Sequence, residues 1–251
     1  MKITREIKFF ILSIWQTGID FIFPQKCPNC DKQIDATQLF CEKCFHQISF
    51  IKPPICHRCG LPLSCENYHP NDKILCPDCL KKRPTYDLAR AVFVYDSFSK
   101  TSILKLKYAD KMEYALPFTE LMQQAGQDLF EKTDIIMPVP MHWRRKLKRK
   151  YNQADLLGNA LAKKVKIPYM SNVLVRSRHT ETQENKSFQE RNRNVKDAFT
   201  ITQVNKVKNK HILLIDDVFT TGATVNNCAK ALKKAGAKAV YALTIAKVVK
   251  R

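Results

Sequence analysis

Hydrophobic and polar positions change rhythm near residue 85. Downstream, short apolar runs alternate with segments of helical spacing. Ala91-Val92-Phe93-Val94-Tyr95 predicts a strand, and residues 97–109 and 115–130 predict helices. The run from Ile135 to Val139 predicts a short buried strand. Residues 152–165 predict a helix opened by Asn152. Val173 to Val175, Ala198 to Ile201 and His211 to Ile215 predict three more strands. A helix over 223–235 stops at Gly236, and Ala239 to Ile245 predicts a closing strand. This alternation implies βαβ units, hence an α/β domain over 85–251 with a central parallel sheet and helices on both faces. Ligands of such sheets sit at the carboxyl ends of the strands.

Upstream, residues 23–84 lack long apolar runs and are rich in Cys, Pro and turn residues. Such a segment cannot build a large core, so bound metal has to supply stability. Four C-x-x-C pairs occur: Cys27/Cys30, Cys41/Cys44, Cys56/Cys59 and Cys76/Cys79. Two residues between thiolates let both sulfurs reach one tetrahedral zinc. Eight thiolates suffice for two structural Zn2+ ions. Sequential and interleaved pairing of the knuckles are both open, and Cys65, His57 or His69 can replace a ligand. A disulfide scaffold is the weaker reading, because repeated knuckles are a metal signal. Residues 1–22 carry Lys2, Arg5 and Lys8 before the run Phe9 to Trp15 and predict an amphipathic helix. No cleavage site follows it, and no stretch reaches the roughly 20 apolar residues of a membrane span. With thiols that bind zinc, a reducing, cytoplasmic location is expected.

Composition then adds an asymmetry. The 251-residue chain has 45% hydrophobic residues, enough for a packed core, and a formal net charge of +20. Residues 141–196 hold 15 Lys and Arg against 4 Asp and Glu, so more than half the excess lies in that segment. It should face an anion. Arg144, Arg145, Lys146, Lys148, Arg149 and Lys150 follow a predicted strand end, with Trp143 and Tyr151 beside them. Guanidinium forks match phosphate oxygens, and aromatic rings stack the bases of single strands. Pyrophosphate and nucleic acid both suit this chemistry.

The most informative segment runs from Ile212 to Thr224: a buried strand, the pair Asp216-Asp217, then Val218-Phe219-Thr220-Thr221-Gly222-Ala223-Thr224 entering a helix. Amides at the helix start and the threonine hydroxyls can surround a phosphate, and Gly222 permits close backbone approach. The carboxylates repel phosphate but suit a sugar diol or hydrated Mg2+. Neither a P-loop nor a Rossmann glycine pattern is present.

This segment resembles the 5-phosphoribosyl-1-pyrophosphate (PRPP) loop of type I phosphoribosyltransferases. Pro138-Val139-Pro140 followed by a basic run and Tyr151-Asn152-Gln153-Ala154 resembles the ComF competence proteins. So do Leu104-Lys105-Leu106-Lys107-Tyr108, Arg176-x-Arg178-x-Thr180-x-Thr182-Gln183 with Arg191 and Asn194, and the cysteine-rich head after Asp20 to Pro24. The resemblance covers nearly the whole chain. It departs at Arg149-Lys150, where relatives often have Arg-Gly, and at the extra Cys65.

The resemblance implies a type I phosphoribosyltransferase fold behind a double zinc ribbon. It also implies PRPP and Mg2+ as ligands, with Asp216 and Asp217 on the ribose hydroxyls and Thr220, Thr221, Gly222, Ala223 and Thr224 on the 5′-phosphate. Arg144, Arg145, Arg149, Tyr151, Asn152 and Gln153 would meet pyrophosphate or nucleic acid. A loop with Arg176, Arg178, Thr182 and Gln183 would close over the reaction centre. A role in natural transformation follows, with single-stranded DNA and a competence-machinery protein as partners. Three functions remain open at this point: a phosphoribosyltransferase, a PRPP or nucleic-acid binder without turnover, and a nucleobase-salvage enzyme.

Overall fold

In the computed structural model, residues 26–35, 38–65, 67–69, 72–108, 115–141, 152–176 and 198–249 are described. The expected helix over 1–22 lies outside them. The chain forms two compact units that divide between Ile48 and Ser49. This division lies upstream of the change in composition near residue 85, so the second pair of cysteine knuckles shares a unit with the sheet.

In the first unit, Cys27 opens a tight turn that closes with a bridge between Lys26 and Gln33. The Cys27 amide donates to Lys32 O at 2.8 Å, and Asp31 takes a left-handed backbone at φ 60°. A one-and-a-half-turn helix, α1 (Glu42–Gln47), starts directly after Cys41 and carries Cys44 inward. Ile34, Phe40 and Ile48 are the buried apolar residues around these knuckles.

The second unit holds a short helix, α2 (Pro77–Lys81), and four parallel strands. These are β1 (Leu88–Val94), β2 (Ile135–Pro138), β5 (His211–Phe219) and β6 (Ala239–Lys247), in the spatial order β1-β6-β5-β2. Helices α3 (Ser97–Tyr108), α4 (Ala115–Ala125), α5 (Gln127–Phe130), α6 (Gln153–Val165) and α7 (Ala223–Lys234) connect them. Strand alternation sorts the side chains onto two faces. Ile212, Leu214, Val240 and Ala242 join Val225, Cys228, Ala229 and Leu232 of α7 in one core. On the other face, Leu243 meets Gly126 and Ile215 lies beside Gly158 of α6, while α4 packs on both α6 and β1.

Three expectations change in detail. The helix expected over 115–130 is two helices that break at Gly126, where a Cβ would stand 2.6 Å from Leu243 Cδ2. Strand β5 continues to Phe219, beyond the apolar run, because Val218 and Phe219 still pair with Ala246 and Lys247 of β6. Strands β3 (Leu174–Arg176) and β4 (Phe199–Ile201) form a separate antiparallel pair and do not extend the parallel sheet. Both edges of the sheet are covered by backbone. Ile136 N–H donates to Pro168 O at 2.9 Å on one side, and Ile51 N–H donates to Val92 O at 2.9 Å on the other.

Candidate functional site

The carboxyl end of β5 supplies both acids. Asp216 pairs in register with Thr244 of β6, so strand hydrogen bonds fix where its carboxylate begins. The Asp217 amide donates to Asp216 Oδ1 at 2.9 Å, and the Val218 amide donates to Asp217 Oδ1 at 2.7 Å. Each carboxylate is thus held by the amide of the next residue. Both acids are half-buried.

The turn after Phe219 is set by Gly222, which takes φ 72° and ψ 2° as the N-cap of α7. L-residues avoid this left-handed region. Having no side chain, the cap offers no acceptor to the first turn. Thr221 Oγ1 accepts from the Ala223 amide at 3.3 Å instead. Thr220 is exposed, and Thr221, Ala223 and Thr224 are half-buried. Amides at a helix N-terminus, two hydroxyl-bearing residues in the preceding turn and two carboxylates on the adjoining strand therefore stand at one end of the parallel sheet. That is where open α/β sheets bind ligands.

The exit of β2 lies beside this end. Val139 N–H donates to Ile215 O at 2.8 Å, and Val139 O accepts from Asn152 Nδ2 at 3.2 Å. Asn152 also caps α6, its Oδ1 accepting from the Ala154 amide at 3.2 Å. Its side chain is therefore a brace between the β2 exit and α6. Gln153 is buried. Arg144, Arg145, Arg149 and Tyr151 lie outside the described residues, as do Arg178, Thr182 and Gln183.

Arg176 is described. Its guanidinium lies 5.7 Å from the centroid of the Phe199 ring. It also acts on Cys228, a fully buried thiol of α7. Burial drives that pKa well up, the Asp216 charge raises it further, and the Arg176 charge opposes both. Arg176 and Asp216 thus address one point of α7. Cys228 itself is a core residue.

The cysteines resolve into two clusters, Cys27/Cys30/Cys41/Cys44 and Cys56/Cys59/Cys76/Cys79, the sequential pairing. Within each, the four sulfurs lie within 4.8 Å of one another. A tetrahedral zinc about 2.3 Å from each sulfur would separate the sulfurs by about 3.8 Å. The observed Cys30–Cys41 and Cys59–Cys76 separations are 3.6 and 3.7 Å. Each cluster also holds a thiol prepared to ionise. Burial opposes ionisation of Cys27, but backbone N–H groups of Cys41, Cys30 and Asn29 outweigh it and bring its pKa to about 7. The Cys59 thiol, with the amides of Cys59, Cys76 and Arg58, holds Cys56 down to about 4. The donors, spacing and hydrogen bonds fit two structural zinc ions. His57, His69 and Cys65 belong to neither cluster among the described residues.

The second cluster reaches toward the phosphate-type loop, which the sequence does not reveal. Its sulfurs belong to the same buried core as Tyr86, Phe219, Val225 and Cys228. Lys247 closes β6 and is only 5% exposed, with Nζ 3.8 Å from the centroid of the Phe219 ring. Burial lowers its pKa, and the charges of Cys59, Cys76, Cys79 and Cys56 oppose that shift. A lysine ending an apolar strand was the one available signal.

Comparison with known proteins agrees with this architecture. A family model described as "Double zinc ribbon domain" matches residues 18–80, and one described as "Phosphoribosyl transferase domain" matches residues 108–250. "Competence protein F" of Haemophilus influenzae is 30% identical over 90% of this chain and 98% of its own length. "DNA utilization protein YhgH" of Escherichia coli K12 is 32% identical over 74% of this chain and 81% of its own. Among solved structures, phosphoribosylpyrophosphate synthetase from Mycobacterium smegmatis aligns over 53% of this chain and 34% of its own. Its TM-score is 0.35 and its identity 15%. No helix among the described residues is long and apolar enough to cross a membrane.

Proposed function

The chain belongs to the ComF family of competence proteins, a double zinc ribbon joined to a phosphoribosyl transferase domain, and from that premise we propose that it binds PRPP with Mg2+ and acts on or with single-stranded DNA during DNA uptake. The observation that carries this reading is the continuous run of β5, Gly222 and α7. It sets two adjacent carboxylates on the strand and a helix N-terminus after it, at one end of the sheet. PRPP presents the matching groups: a ribose diol for Asp216 and Asp217, and a 5′-phosphate for the amides and hydroxyls of Thr220 to Thr224. Mg2+, when bound, neutralises charge on the pyrophosphate and so assists its departure.

This chain's own residues orient the sugar and hold its phosphate. Arg176, together with Arg178, Thr182 and Gln183, would bring cations and hydrogen-bond donors to the leaving group as water is excluded. Arg144, Arg145, Arg149, Tyr151, Asn152 and Gln153 would meet pyrophosphate or DNA. The concentration of positive charge in residues 141–196 supports the nucleic-acid part of the reading. A protein partner would meet the cysteine-rich head, and the zinc-binding thiols suit a reducing, cytoplasmic setting. Asp216 and Asp217 are the carboxylates at the described site, and the acceptor would supply the nucleophile that displaces pyrophosphate.

The test is pyrophosphate release from PRPP and Mg2+ with and without single-stranded DNA, beside DNA binding measured over a series of salt concentrations. Expected for the wild type is DNA-dependent release. D216N/D217N should lose release and keep DNA binding with the same salt slope. DNA binding without release, in both proteins, would replace the transferase by a binding module. Release driven by a free nucleobase alone would point to salvage.

A further inference from the structure

The second cysteine centre is built into the sheet. Ala89 N–H of β1 donates to Arg58 O at 2.7 Å, and Arg90 Nη1 donates to His57 O at 3.0 Å. Gly60, at φ 67°, lets the knuckle sit so close that a Cβ there would be 2.6 Å from Ala89 O. The segment leaving this centre is tied to α7, because the Thr85 amide donates to Asn226 Oδ1 at 2.6 Å.

From this centre a short series of buried contacts leads to the loop. The Phe219 ring meets Lys247 Nζ on its face and the Tyr86 ring at 5.8 Å, edge to face. The same ring lies under Gly222, where a Cβ would stand 2.5 Å from Phe219 Cζ. Lys247 also holds the strand ends by backbone, its carbonyl accepting from Tyr95 N–H at 2.7 Å. Next to it, the Val248 amide donates to Phe219 O at 2.9 Å. A buried ammonium needs a compensating charge as well as an aromatic face. The Phe219 ring that carries the Lys247 ammonium shares one buried core with the four sulfurs, and four thiolates around one Zn2+ would carry a net charge of −2 there.

We propose that Lys247 is a positioning residue: balanced by the second cysteine centre, it fixes the Phe219 ring beneath Gly222 and so sets the loop that receives the phosphate. The zinc ribbon would then support the ligand site directly. The proposal rests on the reading of Thr220 to Thr224 as a phosphate-binding loop, but its first readout needs no ligand. Its parts are distant in sequence, and only folding brings residues 56–79, 86, 219–222 and 247 together.

The experiment uses the full-length, zinc-loaded protein and K247M, which keeps the apolar stem and removes the charge. Zinc content and hydrogen exchange at the amides of 219–224 are measured first, then titration with PRPP and Mg2+. K247M should retain the wild-type zinc content, exchange at those amides at least tenfold faster, and bind PRPP at least tenfold more weakly. K247R should recover most of both. Wild-type exchange in K247M would overturn the proposal. D216N/D217N separates the two ideas: it should lose PRPP binding while the loop amides exchange at the wild-type rate. If the wild type itself fails to bind PRPP, the exchange readout still decides whether Lys247 positions the loop. If K247M loses zinc or unfolds, F219L is read instead. It keeps apolar volume but not the flat ring, so faster exchange at 220–224 supports the proposal and unchanged exchange overturns it.

Discussion

At the scale of single residues, Gly222 carries the sharpest constraint. Its left-handed backbone and the ring below it leave no room for a Cβ. Forcing an L-residue into such a conformation costs about 1–3 kcal/mol, and the steric conflict with Phe219 adds to that. G222A should therefore lower the urea midpoint with little change in slope and weaken PRPP binding. Wild-type stability and affinity would show that the turn can relax freely. Asp216, Asp217 and Gly222 were legible in the sequence because strand, acids and turn are consecutive there. Asn152 was legible as a helix start for the same local reason. Lys247 was legible only as a lysine ending an apolar strand: the role proposed for it depends on cysteines 168 to 191 residues away. Tyr86, a buried aromatic at the head of the domain, was silent.

At the scale of elements, local spacing again separates what could be read from what could not. The four knuckles announced their metal chemistry, but only the fold chose sequential over interleaved pairing. The single glycine within 115–130 left helix and helix break both compatible with the pattern, and the approach of Leu243 decided it. Strand β5 outran its apolar stretch because pairing with β6, not hydrophobicity, holds its last residues. Strands β3 and β4 were recognisable singly, while their antiparallel pairing is a long-range fact. The knuckles lead to a prediction for the metal. Elemental analysis should find two zinc ions per chain, one for each four-sulfur cluster. Structural zinc contributes about 10–16 kcal/mol in small zinc domains, comparable with the whole net stability of an ordinary domain. Removing it with a chelator should lower the melting temperature by more than about 10 °C, with recovery on adding zinc back. Melting that ignores the chelator would mean that the thiols are not metal ligands.

At the scale of the whole molecule, the alternating pattern was enough to place a parallel sheet. The family relationship is then carried by nearly the full length of the chain. The uneven charge adds a second theme, since a site for a small phosphorylated sugar needs only a few cations. The excess over residues 141–196 goes well beyond that number and suits a polyanion. The central claim remains the pocket itself, and calorimetric titration of PRPP with Mg2+ into the zinc-loaded protein and its D216N/D217N variant tests it most directly. Hydrogen bonds to charged groups contribute about 1.5–3 kcal/mol each, so losing both carboxylates should weaken binding by roughly a hundredfold or more. Saturable one-to-one binding by the wild type, with heat lost in the variant, is the predicted result. No binding by a folded, zinc-loaded wild type, or equal binding by both proteins, would contradict it.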